Sequence, residues 1–104
     1  MFHTAIVMKV VDGKLDAYRT DHQNLWPEID RAMRKEGIDM AIYHYNGFLF
    51  VFAAAPSEHH WERSRTDPVF TAWNAHMANL LESDDKGNIL FYPPEKVFGF
   101  GSFT

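Results

Sequence analysis

The chain contains no cysteine. That excludes a disulfide scaffold, a thiolate zinc site, an iron–sulfur centre and a cysteine nucleophile. Basic residues are outnumbered, with 10 Lys plus Arg against 14 Asp plus Glu and a formal net charge of -4. A nucleic-acid partner, which demands a basic patch, is not expected from that balance. The longest apolar stretch, Ala41–Ala55, is interrupted by His44, Tyr45, Asn46 and Gly47, so no bilayer-spanning segment is expected. Met1-Phe2-His3-Thr4-Ala5 lacks a basic n-region followed by an apolar h-region, and the expected location is cytoplasmic. There is no glycine-rich phosphate loop: Gly99-Phe100-Gly101 has no helix after it. Nor is there a serine-centred elbow. Nucleotide-dependent and serine-hydrolase chemistry therefore find no support.

Aromatic residues, by contrast, are abundant. Nine Phe, four Tyr and three Trp make up 15% of 104 residues, and six His accompany them. A chain of this length forms one domain, residues 1–104, burying roughly 60–70% of its unfolded surface. It cannot hide every ring internally, so some are expected in a pocket or on a subunit face.

Residues Phe2–Val11 alternate with period two and predict a strand that Asp12-Gly13 ends. From Lys14 the period lengthens: Leu15, Tyr18, His22, Leu25, Trp26, Ile29, Ala32 and Met33 recur at spacings of three and four. Pro27 disfavours helical geometry at Trp26, so two helical pieces are predicted, Lys14–His22 and Pro27–Lys35, with Gly37 as a stop. Ile38–Tyr45 and Phe48–Ala55 flank Asn46-Gly47, a strong hairpin signal because both turn residues accept positive φ. A short helix is predicted over Ser57–Ser64. Another runs from Pro68 to Leu81, with Asp67 as N-cap. Ser83–Asn88 is turn-rich, and Lys96–Phe103 reads as a last strand weakened by Gly99 and Gly101. The order β, α, β, β, α, β is the α+β, ferredoxin-like split-βαβ arrangement: an antiparallel sheet with helices on one face. The bare aromatic face needs cover, and a second copy would supply it, giving a homodimer with the form of a dimeric α/β barrel.

Three groups of residues carry candidate chemistry. Tyr18, His22 and Trp26 fall at i, i+4 and i+8. They form either a core-facing stripe with a satisfied histidine or an acid–base imidazole flanked by a phenol and an indole. Tyr43-His44-Tyr45 alternates on a strand, and Trp73, Asn74, His76 and Met77 share a helix; ordinary packing is the default reading of both, with a cleft lining as the alternative. His59-His60 with Glu58 and Glu62 does not suggest a metal, because adjacent helical residues diverge by about 100° and the H-E-x-x-H form is absent.

Taken together, these segments resemble the L-rhamnose mutarotase family. Tyr18-Arg-Thr-Asp-His22-Gln-Asn-Leu-Trp26-Pro27-Glu28 is similar to its Y-x-x-x-H-x-x-I/L-W-P-E signature. Ala41-Ile42-Tyr43, Leu49-Phe50, the segment Pro68–Met77 and Lys96-Val97-Phe98 follow in the family's order. The resemblance implies a small homodimer that interconverts the α and β anomers of a 6-deoxy sugar without a cofactor. It implies that His22 is the proton donor and that Tyr18 and Trp73 contact substrate, with Trp26 behind. The family's usual tyrosine is Met40 here, and its second tryptophan is Asn74. These substitutions change the hydrogen-bond pattern offered to the sugar. Asp39-Met40-Ala41-Ile42-Tyr43 is also similar to mutarotase-like proteins associated with L-fucose. The alternatives are therefore an L-fucose mutarotase, a non-catalytic small-molecule-binding dimeric barrel module on the same fold, or a monooxygenase-like dimeric barrel.

Overall fold

A computed structural model describes residues 1–104. Strand β1 spans Phe2–Lys9, followed by helices α1 (Leu15–Gln23) and α2 (Pro27–Lys35). Strands β2 (Asp39–Tyr45) and β3 (Phe48–Ala55) form a hairpin, and helices α3 (Glu58–Arg65) and α4 (Val69–Met77) follow. The three strands make an antiparallel sheet in the order β1-β3-β2.

Local chemistry explains the boundaries. Asn46 (φ 52°) and Gly47 (φ 84°) both adopt the left-handed region, as a two-residue hairpin turn requires. The helical stripe breaks where the sequence predicts. Trp26 is extended (ψ 133°), and Pro27 opens α2. The Asp67 carboxylate accepts a 3.0 Å hydrogen bond from the Val69 backbone N–H, which caps α4 behind an already helical Pro68.

Alternation sorts the sheet into two faces. Met8, Leu49 and Val51 are buried on the inner face, packed with Tyr18, Ile29, Phe70, Trp73 and Met77 from the helices. Met40 and Ile42 lie against the same cluster and are only partly buried. Phe50, Phe52 and Tyr43 register beside one another on the opposite face. There Phe52 is 47% exposed and Tyr43 63%.

One predicted element is corrected. Lys96–Phe103 is not a strand. It is an exposed tail ending in a 3-10 turn at Gly101–Phe103, with Val97 90% exposed. The place of a fourth strand beside β1 is taken by Tyr92, whose backbone exchanges two hydrogen bonds with Val7 (2.8 and 3.2 Å). Pro93-Pro94 follows at once. Proline has no N–H to donate, so the ladder cannot continue. The split-βαβ order survives with isolated bridges, Val7–Tyr92 and Val10–Leu81, in place of its last strand. No helix is long and apolar enough to cross a membrane.

Candidate active site

The packed layers do not close everywhere. Between α1, α4 and the hairpin lies a cavity of about 700 Å3, within the roughly 300–1,000 Å3 of small-molecule sites. Helix α1 contributes Tyr18, Arg19, His22 and Gln23, and α2 contributes Ile29 and Met33. Met40, Ile42 and His44 project from alternate positions of β2, with Leu49 beside them on β3. Arg65, Phe70 and Trp73 complete the wall. No aspartate or glutamate lines the cavity.

His22 is half-buried and held in one orientation. Its Nδ1 lies 2.8 Å from the backbone carbonyl oxygen of Tyr18, one turn earlier. A carbonyl only accepts, so Nδ1 carries the proton and Nε2 presents a lone pair. The ring rests 4.2 Å from the Tyr18 ring and meets the edge of Trp73 at 5.3 Å. Burial lowers its pKa below 6.5, with the Tyr18 carbonyl and the Asp21 charge acting in the opposite direction. At neutral pH His22 is an uncharged imidazole. Burial pushes the Tyr18 phenol up to about 12, so it remains a hydrogen-bond donor across the physiological range.

The predicted site residues separate into those that meet at the cavity and those that do not. Tyr18, His22, Met40 and Trp73 line it together. Trp26 stands behind, its ring edge-on to Trp73 at 5.0 Å. Asn74 is exposed and lies outside the lining. The reason is helical geometry: successive residues turn by about 100°, and α4 spends its inward direction on Phe70, Trp73 and Met77. Sequence reasoning missed Arg65 and Ile42. Trp61 and Arg65 at i, i+4 place an indole and a cation on one helix face, which was the available signal for Arg65. Ile42 follows from β2 alternation two residues after Met40.

An antiparallel α+β sheet with helices on one face encloses an aromatic cavity of small-molecule size, with an oriented histidine in its wall. Over residues 3–99 the chain matches the L-rhamnose mutarotase family, and it belongs to that family. An L-rhamnose mutarotase of Shouchella clausii is 29% identical over 94% of this chain and 97% of its own length. One from Burkholderia orbicola is 33% identical over 89% and 88%. The crystal structure of an L-rhamnose mutarotase from Formosa agariphila superposes with a TM-score of 0.79 at 22% identity, covering 97% of this chain and all of that one. It supports the fold.

Proposed function

We propose that the protein is a cofactor-independent mutarotase that interconverts the α and β anomers of a 6-deoxy sugar of the L-rhamnose type, with His22 as its acid–base group. The observation that carries this reading is the 2.8 Å contact between His22 Nδ1 and the Tyr18 carbonyl oxygen; because a carbonyl only accepts, it assigns the proton to Nδ1 and leaves the lone pair on Nε2.

The chemistry is modest and balances within one imidazole. Nε2 takes the proton of the anomeric hydroxyl as the bond between C1 and the ring oxygen breaks. The resulting imidazolium returns that proton to the ring oxygen, leaving an open-chain aldehyde. Both oxygens are bonded to C1, so one nitrogen serves both in turn. Rotation about C1–C2 exposes the other aldehyde face, and the reverse steps close the ring. His22 thus acts as base first and as proton donor second. General acid–base catalysis of this kind contributes roughly 10²–10⁴-fold.

The neutral Tyr18 hydroxyl donates to a substrate oxygen. Trp73 offers a flat apolar face to the C–H side of the ring, and Met33, Met40 and Ile42 give the 6-methyl group an apolar wall. Two copies are proposed to pair through the outer sheet face, where Phe52, Tyr43 and Tyr45 are exposed and unpartnered. The test is magnetisation exchange between the anomeric protons of L-rhamnose. The protein at micromolar concentration is expected to accelerate exchange well above the buffer rate. An exchange rate equal to buffer for L-rhamnose, L-fucose and related deoxy sugars would remove the mutarotase reading.

A further inference from the structure

Arg65 reaches the cavity from the end of α3 with no counter-ion. The contrast with Arg63 on the same helix is direct: Arg63 donates to Glu36 Oε1 at 2.7 and 3.1 Å, whereas Arg65 takes part in no ion pair. Its one protein hydrogen bond is long, from Nε to Ser64 Oγ at 3.5 Å. Its Nη2 is sealed from water with no partner at all. A nitrogen closed to water is closed to a ligand as well, so the group left to meet one is Nη1, which is neither sealed nor hydrogen-bonded.

The guanidinium is also clamped. Its central carbon lies 4.5 Å from the Trp61 ring centroid and 4.1 Å from that of Phe70. Aromatic rings satisfy the faces of a guanidinium. They do nothing for the N–H groups, which point outward in its plane. Burial pushes the pKa down to about 10, which still leaves the group charged at neutral pH. The cavity wall therefore carries a clamped, charged guanidinium and no protein carboxylate to pair with it.

We infer that Arg65 is a substrate-binding residue, donating through its accessible Nη1 to one hydroxyl oxygen of the sugar and so setting which ring face lies against Trp73 while C1 sits at His22. This rests on the mutarotase reading and adds to it the group that selects among sugars. A site that hydrogen-bonds a particular hydroxyl discriminates strongly against an analogue lacking it. Arg suits the task because two stacked rings fix the guanidinium plane and with it the direction of its N–H bonds, a directionality the rotating ammonium of Lys lacks.

The experiment compares wild type, Arg65→Met and Arg65→Lys on L-rhamnose and on its 2-, 3- and 4-monodeoxy analogues, with kcat/KM taken from anomer exchange. On the parent sugar, Arg65→Met is expected to lose about ten- to a hundredfold, the size of a hydrogen bond to a charged donor. On the analogue lacking the contacted hydroxyl, the loss shrinks to within twofold. Equal losses on every analogue would mean that Arg65 only supports the fold, and no loss on any would overturn the inference outright. Should Arg65→Met fail to fold, Arg65→Lys keeps the charge and is expected to show the same pattern; a Lys variant equal to wild type overturns it. A wild type that prefers the corresponding 6-carboxylate sugar, with the preference lost in Arg65→Met, shows an anion partner and sinks the hydroxyl assignment. If wild type exchanges no anomers, the activity reading fails separately. Saturation-transfer NMR with the same sugars then decides on Arg65: a bound-sugar signal that disappears in the Met variant supports it, and an unchanged signal refutes it.

Discussion

The Nδ1 proton of His22 is committed to the carbonyl oxygen of Tyr18, 2.8 Å away and one turn earlier on the same helix. The backbone of α1 thus sets the tautomer and leaves Nε2 as the nitrogen with a free lone pair. A histidine placed at i+4 from a tyrosine is ordinary; one whose ring is half-buried beside a cavity with its second nitrogen unpaired is prepared for proton transfer. Removing the imidazole tests this directly. His22→Ala is expected to remain folded and to lose about 10²–10⁴-fold in kcat, measured by anomeric proton exchange. A folded variant with undiminished kcat would take the proton transfer away from His22.

The same burial fixes the pH dependence. Desolvation lowers the His22 pKa below 6.5, while Asp21 acts to raise it. In the proposed mechanism the competent form of His22 is neutral, so kcat/KM is expected to rise with pH through a midpoint below 6.5 and to be flat by pH 7. Asp21→Asn removes the opposing charge and moves the midpoint further down. Stability follows the same sign. Between the folded and unfolded pKa values the unfolded chain binds the proton and the folded chain does not, so the His22 contribution to stability rises with pH across that window and is lost as pH falls through it. A pH–rate midpoint above 6.5, or one that rises in Asp21→Asn, contradicts the electrostatics.

Tyr18 gives an independent prediction. Its phenol is pushed up to about 12 by burial, so it donates a hydrogen bond and does not serve as a base. Tyr18→Phe is expected to lower kcat/KM roughly three- to tenfold, the size of one neutral hydrogen bond. The wild-type pH–rate profile is expected to stay flat to pH 10. An alkaline limb in wild type that disappears in Tyr18→Phe would show an ionising phenol in the mechanism.

Much of this architecture was legible in the residues. The hairpin declared itself through Asn46-Gly47, and the α1–α2 break through Trp26-Pro27, because both are local steric effects. The stripe of Tyr18, His22 and Trp26 admitted two readings, core or site, since helical spacing orients side chains without saying whether the facing wall is complete. Only packing shows that Met40, Ile42 and Phe70 leave a gap in front of His22. The last strand was misread because Val97, Phe98 and Phe100 supply β propensity. Whether a strand forms depends on a free edge, and Tyr92 takes up the β1 edge at Val7 before the two prolines end the pairing. Arg65 escaped because its isolation depends on rings brought from both α3 and α4.

Asn74 separates resemblance from geometry. By its match to the family's helix motif it stands at a substrate-contacting position, yet its side chain lies on the exposed face of α4, outside the cavity. Asn74→Ala is accordingly expected to change kcat/KM by less than twofold, within the usual range for exposed positions remote from a site. Trp73→Ala, one residue away, removes a cavity wall that is 7% exposed and is expected to cost at least tenfold. Comparable losses in the two variants would mean that α4 presents both side chains to substrate, for instance by a partner subunit completing the site.

The outer sheet face supplies the last prediction. Phe52 is 47% exposed there and touches Tyr43 ring to ring at 5.9 Å. Tyr45 (74% exposed) stands two residues on along β2. A run of rings this open is too large to leave in water on a stable monomer, and a self-complementary sheet face suits a two-fold partner. Wild type is expected to sediment as a dimer. Phe52→Asp places a charge at the centre of the face, where desolvating it without a partner costs several kcal/mol, and is expected to sediment as a monomer. Because the His22 cavity lies on the opposite side of the sheet, that monomer is expected to keep its substrate pocket and a measurable exchange rate. A wild type that sediments as a monomer at high micromolar concentration would leave the face without a second copy. A monomeric Phe52→Asp variant that is folded but wholly inactive would place part of the active site across the interface.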